Sequence, residues 1–80
     1  MPNTYIIYSR RLKRFYTGST RKTAEERLEL HLVDHRGFTS KAKDWVIVYV
    51  QKCESIREAM ILERKIKKRG ASRFLLDLED

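Results

Sequence analysis

The sequence predicts an α+β domain in which a three-stranded antiparallel sheet is flanked by helices. Three observations support this fold class: two short β-branched and aromatic runs separated by a polar turn, one longer apolar run, and two helix-capping patterns. The expected order is strand, strand, one or two helices, strand, helix. Because 80 residues carry no Pro/Gly/Ser-rich linker and no internal repeat, we expect a single domain over residues 1–80.

The first two strands form a predicted hairpin. Residues 5–8 read Tyr-Ile-Ile-Tyr, which is typical of a strand, and residues 10–13 are a polar turn. Residues 14–17 are the returning strand, which we expect to end at Gly18, where a backbone without a side chain can turn and leave space for a phosphate.

Alternation along the first strand places Tyr5 and Ile7 on one face and Ile6 and Tyr8 on the other, so Tyr5 and Tyr8 cannot both lie in the core. A register that sets Tyr5 beside Tyr16 would bring two phenols together. Cross-strand aromatic packing is one interpretation of such a pair. The other is a general base, since nearby cations can lower the pKa of a phenol.

The first helix is predicted from the pattern Thr-Ala-Glu-Glu at residues 23–26, in which hydroxyl and carboxylate can satisfy exposed backbone N–H groups. We expect it to run to about Val33, to end at residues 35–37, and to be followed by a short helix at residues 38–43. The residues expected along one side of it are Ala24, Leu28, His31 and Leu32.

The apolar run at residues 45–50 predicts a central strand that is buried on both faces. Ser55 then opens a helix with a second capping pattern, which we expect to continue to about Arg69 and to close at Gly70. Residues 71–78 predict a final short helix. The residues assigned to the core are Trp45, Val46, Ile47, Val48, Ile6, Leu28, Leu62 and Ile66.

Glu63 stands out on the long helix because it lies at the edge of an apolar stripe. The expected inward residues are Ala59, Met60, Leu62 and Ile66. A carboxylate in that place is costly without a partner. It is either an ordinary i,i+4 pair with Lys67 or a metal ligand.

Arg27 and His31 are four residues apart and therefore project from the same face of the first helix. A guanidinium beside an imidazole suits phosphate recognition, because arginine offers a planar fork of donors and histidine exchanges a proton near neutral pH. A solvated cation and a packed histidine are the alternative interpretation.

The charge balance favours a polyanionic partner. Eighteen Lys and Arg against 11 Asp and Glu give a net charge of +7, and we expect nucleic acid as the partner, with a solvated lysine-rich surface as the alternative. No apolar run approaches the ~20 residues of a membrane span, so no membrane partner is expected. The single cysteine, Cys53, favours a reducing, intracellular and cytoplasmic setting, and it and His35 are interpreted as structural.

In their order and spacing these residues resemble the GIY-YIG nuclease family, and in particular its small single-domain members. The strings that carry the resemblance are Asn3-Thr4-Tyr5, Tyr16-Thr17-Gly18-Ser19-Thr20, Arg27 with His31, Trp45 before a strand, and Ala59, Glu63 and Lys67 at four-residue spacing. The first half-motif lacks the family's Gly and Ile, and no asparagine lies near the C-terminus.

The resemblance implies a divalent-metal-dependent endonuclease that hydrolyses phosphodiester bonds, most simply of DNA. It implies that Tyr5 activates water, that Tyr16 helps to polarise it, that Arg27 stabilises the phosphoryl oxygens, and that His31 assists. Glu63 would hold one Mg²⁺ or Mn²⁺, in keeping with the few protein ligands that magnesium often has.

The residues assigned to nucleic-acid contact are Gly18, Arg10, Arg11, Lys13, Arg14, Arg21 and Lys67. The alternative function is a non-catalytic or partner-dependent nucleic-acid-binding domain of the same fold. DNA repair or recombination is the process that the resemblance implies, and a protein partner would supply specificity. The sequence leaves open DNA against RNA, the preferred DNA structure and the oligomeric state.

Overall fold

The computed structural model describes residues 1–33 and 41–79, with the backbone alone for residues 30–33. Its elements are β1 (Asn3–Ser9), β2 (Arg14–Thr20), α1 (Ala24–Val33), β3 (Val46–Lys52), α2 (Ile56–Arg69) and α3 (Ala71–Asp77). The α+β class and the three-stranded antiparallel sheet are confirmed. The expected end of the first helix at residues 35–37 lies outside the described residues, as do residues 38–40 of the short helix expected at residues 38–43. In the described half of that stretch, residues 42 and 43 are not helical.

The sheet order is β2-β1-β3, so β1 is the central strand and pairs antiparallel with both neighbours. The prediction that residues 45–50 form a central strand buried on both faces is therefore wrong. Val46, Val48 and Val50 are 53%, 42% and 41% exposed. The apolar run belongs to an edge strand, and only β1 has hydrogen-bonded strands on both sides.

The core lies on both faces of the sheet. On the face under α1, Tyr5 and Ile7 pack with Ala24 of α1 and with Ala42 and Trp45, which lie in the segment before β3. On the opposite face, the Thr4 hydroxyl donates a hydrogen bond of 2.5 Å to the carbonyl of Ala59 and so fixes α2 against β1.

Most of the core assignments hold, and the exceptions are on β3 and α2. Ile6, Trp45 and Ile66 are buried, whereas Leu28, Ile47 and Leu62 are half-buried. Val46 and Val48 were wrongly assigned to the core, since about half of each side chain is exposed. Met60 is 45% exposed, so the expectation that it joins the inward stripe of α2 is also wrong. The buried residues of α2 are Ala59 and Ile66.

The hairpin turn is held by a side chain from outside the hairpin. Asp44 accepts hydrogen bonds from the Ser9 hydroxyl at 2.6 Å and from the Arg11 backbone N–H at 2.8 Å. These bonds lower the pKa of the Asp44 carboxyl. The turn at residues 10–13 is as expected, with Lys13 in the left-handed region at φ 55°.

Both ends of α2 lie where the sequence predicts them. The Ser55 hydroxyl accepts from the Glu58 backbone N–H at 3.1 Å, and α2 ends at Gly70 with φ 95°. After α3, the Asp77 carboxylate accepts two bonds from Arg69, at 2.9 and 3.0 Å, which tie α3 back to the end of α2. Within the described residues, no helix has the length and apolar character that crossing a membrane requires.

Candidate active site

The strand register decides how the tyrosines meet. Tyr5 lies opposite Gly18 and Ile7 opposite Tyr16, so both phenols are on the same face as diagonal neighbours and not directly side by side. A Cβ at Gly18 would lie 2.5 Å from the Tyr5 hydroxyl oxygen and 2.8 Å from Cζ. Gly18 therefore makes room for the Tyr5 ring.

The expectation that β2 ends at Gly18 is wrong. The strand continues to Thr20, because pairing with β1 extends as far as Asn3. The absent side chain at Gly18 serves the packing of Tyr5.

Tyr5 is buried, with 1% of its surface exposed. Burial raises the pKa of the Tyr5 phenol to about 12, although a hydrogen bond from Arg27 and the charge of Arg27 oppose the rise. Tyr16 and Glu63 add smaller contributions in the raising direction. The idea that neighbouring cations leave this phenol with a lowered pKa is therefore wrong for Tyr5, because desolvation outweighs the guanidinium.

Arg27 reaches Tyr5 from α1, at the first turns of the helix. The capping residue Thr23 accepts a 3.1 Å hydrogen bond from the Glu26 backbone N–H, and the Thr23 carbonyl accepts one of 3.1 Å from the Arg27 N–H. The N-terminal end of α1 is thus fixed beside the end of β2. Arg27 is half-buried, which limits the freedom of its guanidinium.

Glu63 enters from α2, on the far side of the sheet from α1. Its Oε1 accepts a short hydrogen bond from the Ser19 hydroxyl, and its Oε2 lies 2.7 Å from Lys67 Nζ. The side chain of Glu63 is 23% exposed. The i,i+4 pair predicted from the spacing is present, and Ser19 is an additional partner that the spacing did not predict.

Lys67 links the carboxylate to the second tyrosine. Its Nζ lies 6.0 Å from the centroid of the Tyr16 ring while it is paired with Glu63. The Ser19 hydroxyl also lies 3.1 Å from the Ala59 carbonyl, one helical turn before Glu63. These contacts fix the rotation and height of α2 against β2.

Four of the predicted residues thus come together at the β2 edge of the sheet: Tyr5 from β1, Tyr16 from β2, Arg27 from α1 and Glu63 from α2. His31 follows Arg27 by four residues on α1, and its side chain lies outside the described residues.

A metal ion at this edge would depend on one carboxylate. Among the described residues, no group of three or more His, Cys, Asp or Glu side chains could hold a metal. Mg²⁺ prefers oxygen ligands, keeps several waters and is commonly bound by one or two carboxylates together with substrate phosphates. Glu63, whose side chain is partly exposed, fits that kind of site.

Two grooves flank the four residues. The first groove, about 690 Å³, is lined by Lys13, Arg14, Phe15, Tyr16, Thr17, Lys67, Arg69, Gly70, Ala71, Ser72 and Arg73. The second groove, about 340 Å³, is lined by Ser19, Thr20, Arg21, Lys22 and Arg27. Of the residues assigned to nucleic-acid contact, Arg10, Arg11 and Gly18 line neither groove.

Sequence reasoning missed Ser19, Lys22 and Arg73 as residues of this surface. Lys22 has a sequence signal, because residues 1–22 contain six Lys and Arg and no acidic residue. Ser19 could have been found from the hairpin register, which places it opposite Thr4 on the α2 face. Arg73 had no sequence signal, because its position depends on the turn of the chain at Gly70.

The three-stranded antiparallel sheet with its helices is consistent with a nuclease-type fold. The family model of the GIY-YIG catalytic domain matches residues 1–75, and the chain belongs to the GIY-YIG family. Domains of this family are typically nucleases that bind nucleic acid and generally use divalent metals. No curated protein and no solved structure matches the chain.

Proposed function

We propose that the chain is a divalent-metal-dependent endonuclease that hydrolyses phosphodiester bonds of DNA, and that residues 1–80 form a single domain. The observation that carries the proposal is the convergence of Tyr5, Tyr16, Arg27 and Glu63, from four separate elements, at one edge of the sheet. In a simple binding domain, a carboxylate among the phosphate contacts would repel the ligand.

Glu63 is the residue that would hold Mg²⁺ or Mn²⁺. When bound, such an ion supplies a positive charge that stabilises the leaving 3′ oxygen. Arg27 would stabilise the negative charge that develops on the other phosphoryl oxygens. Its planar fork of donors and its restricted position suit that role.

The reaction adds water across one phosphodiester bond. The water oxygen forms a bond to phosphorus, the bond from phosphorus to the 3′ oxygen breaks, and the proton lost by water is balanced by one taken up at the 3′ oxygen. Tyr5 is neutral at neutral pH, since its pKa is about 12. Tyr5 would therefore orient the water. It would accept a proton from the water only if its own phenolic proton leaves at the same time.

The remaining two residues would support this proton transfer. Tyr16, diagonal to Tyr5, would help to polarise the water. His31 would assist proton transfer or contact the phosphate, since its position on α1 is one turn beyond Arg27.

A non-catalytic nucleic-acid-binding domain of the same fold is the second candidate. This candidate is favoured by the state of Glu63 and Tyr5 in the protein without nucleic acid. The Glu63 carboxylate is already paired with Ser19 and Lys67, and the phenol of Tyr5 holds its proton strongly. Both groups would have to change partners before hydrolysis.

DNA repair is the process that we propose, with a protein partner that supplies specificity. The support for a role in repair is the nuclease character that is typical of the family. A cytoplasmic location stays a prediction from the single cysteine.

The test is cleavage of labelled linear, branched and single-stranded DNA with Mg²⁺, Mn²⁺ or EDTA. We expect metal-dependent products that Tyr5→Phe and Glu63→Ala abolish. Tyr49→Phe, on β3, and Glu29→Gln, an exposed residue of α1, are the matched controls and should cleave like the parent. Absence of products on every substrate, with DNA binding intact, would instead establish the binding domain.

A further inference from the structure

The first groove lies between the β-hairpin and the junction of α2 and α3. We propose that it binds the sugar-phosphate backbone of the nucleic-acid strand that flanks the scissile phosphodiester, with Arg73 as a phosphate contact. The inference rests on the proposed function, since it takes the β2 edge as the place of cleavage. It adds a wall from α3 that the sequence did not assign.

The charge of the first groove fits a polyanion. The lining of the first groove contains no Asp or Glu. Five of its lining residues are cationic, namely Lys13, Arg14, Lys67, Arg69 and Arg73. Arg69 is compensated by Asp77, and Lys67 by Glu63. Within the described residues, Lys13, Arg14 and Arg73 have no such carboxylate partner, and all three are exposed.

The polar and aromatic lining also fits a nucleic-acid backbone. Hydroxyl groups of Thr17 and Ser72 line the groove among the cations, and Ser and Thr hydroxyls commonly contact phosphate oxygens. Phe15 and Tyr16 give the same groove aromatic surface. An acidic protein segment would satisfy the cations, but it has no base or sugar to place on this aromatic surface.

The first groove is continuous with the candidate site. Tyr16 and Lys67 belong to both, and Lys67 bridges towards Glu63. Beyond the site lies the second groove, to which Arg27 and Ser19 contribute. A strand can therefore pass from the first groove across the site to the second.

The length of this path matches several nucleotides. It follows β2, which has seven residues from Arg14 to Thr20. At ~3.3 Å per residue this is ~20 Å, whereas each nucleotide of a strand advances ~3.4 Å along the axis of duplex DNA and takes up more length than that along its own winding backbone. The path is therefore long enough for a few nucleotides of one strand.

The test measures binding of a short labelled DNA duplex by fluorescence anisotropy, in EDTA, from about 50 to 200 mM salt. The groove variant is Arg14→Ala combined with Arg73→Ala. The control variant, Lys52→Ala combined with Arg57→Ala, removes the same charge from exposed positions outside both grooves. Thermal melts establish that both variants are folded.

We expect the groove variant to bind about tenfold more weakly and to lower the slope of log affinity against log salt by about two. The control should weaken binding less than about twofold, with the slope unchanged. Equal losses in the two variants would overturn the groove as a specific site.

The binding assay distinguishes this inference from the nuclease proposal. Failure of the wild-type protein to cleave any DNA would remove the nuclease proposal, while a selective loss in the groove variant would still establish the backbone site. Cleavage by wild type together with unaltered binding by the groove variant would remove the backbone site alone.

Discussion

The two edge strands of the sheet differ in almost every respect except length. β2 (Arg14–Thr20) packs against α2, and its polar side chains reach Glu63 and the second groove. β3 (Val46–Lys52) exposes the valines at 46, 48 and 50, and its pairing with β1 shifts register between Ile6 and Ile7. The candidate site lies at the polar edge strand, β2, and none of the predicted site residues lies on the apolar edge strand, β3.

This difference shows that the apolar content of a strand does not decide whether the strand is central or at an edge of the sheet. The central strand β1 contains buried Thr4 and Ser9, which are polar. Thr4 donates to the Ala59 carbonyl, and Ser9 donates to Asp44. Because these bonds satisfy the buried hydroxyls, a mixed sequence can occupy the position with two strand neighbours.

The largest expected effect is at the polar edge. Arg27→Ala should lower the single-turnover rate of DNA cleavage by ~10²–10³-fold, because the developing phosphoryl charge loses its guanidinium. Arg27→Lys should restore part of the rate, since a point charge replaces a fork of donors. At the apolar edge, Lys52→Ala should leave the rate unchanged. Equal losses at the two edges would remove the distinction between them.

The second effect is on alkaline stability. The unfolded pKa of Tyr5 is near 10 and the folded pKa is about 12, so the folded state holds the proton more strongly. The contribution of Tyr5 is complete below pH 10 and is lost as the pH rises to about 12, which amounts to ~2–3 kcal/mol.

Urea unfolding at pH 9 and above pH 11 measures this loss. Tyr5→Phe should reduce the decrease in the free energy of unfolding, because phenylalanine has no proton to lose. Tyr49→Phe, on β3, should leave most of the decrease in place, since Tyr49 is less buried. An unaltered decrease in Tyr5→Phe would contradict the raised pKa.

The third effect compares two glycines. Gly18→Ala on β2 should cost ~1–3 kcal/mol and lower cleavage, because the new Cβ would meet the Tyr5 hydroxyl oxygen at 2.5 Å. Gly70→Ala places its Cβ in open space but at φ 95°, so it should cost about 1 kcal/mol and lower cleavage by the folded protein far less than Gly18→Ala does. Chemical denaturation and single-turnover cleavage give both quantities. Cleavage by Gly18→Ala at the wild-type rate would show that the Tyr5 position is unimportant.

The smallest effect is at the apolar edge. Val46→Thr and Val48→Thr should each change the free energy of unfolding by less than ~0.5 kcal/mol, because both side chains are largely exposed. Ile6→Val on the central strand should cost ~0.5–1.5 kcal/mol by the same measurement, since Ile6 is fully buried. Larger losses at Val46 and Val48 than at Ile6 would contradict the burial assigned to these side chains.

The parts of the fold that depend on local sequence were predictable. The bounds of α2, from Ser55 as its N-cap to Gly70 at its end, follow from a capping pattern and a glycine. The position of β3 was not predictable in this way, because strand order depends on hydrogen bonds between distant segments. The Thr4 and Ser9 side chains, for example, bond to residues 55 and 35 positions away.

In the candidate site, too, some features could be predicted from the local sequence and others depend on contacts between distant segments. Tyr5, Tyr16, Arg27 and Glu63 were proposed from spacing and resemblance, and their roles stay predictions. The contact from Ser19 to Glu63 and the raised pKa of Tyr5 could not be predicted, because both depend on the register of the hairpin and on how α2 packs.

A double-mutant cycle on cleavage tests the central claim most directly. The rates of wild type, Tyr5→Phe, Glu63→Gln and the double variant would be measured with Mg²⁺ at saturating DNA. If the two residues act in one centre, the double variant should be no slower than the slower single variant. Losses that multiply, or a Glu63→Gln variant that cleaves at the wild-type rate, would contradict a single catalytic centre at the β2 edge.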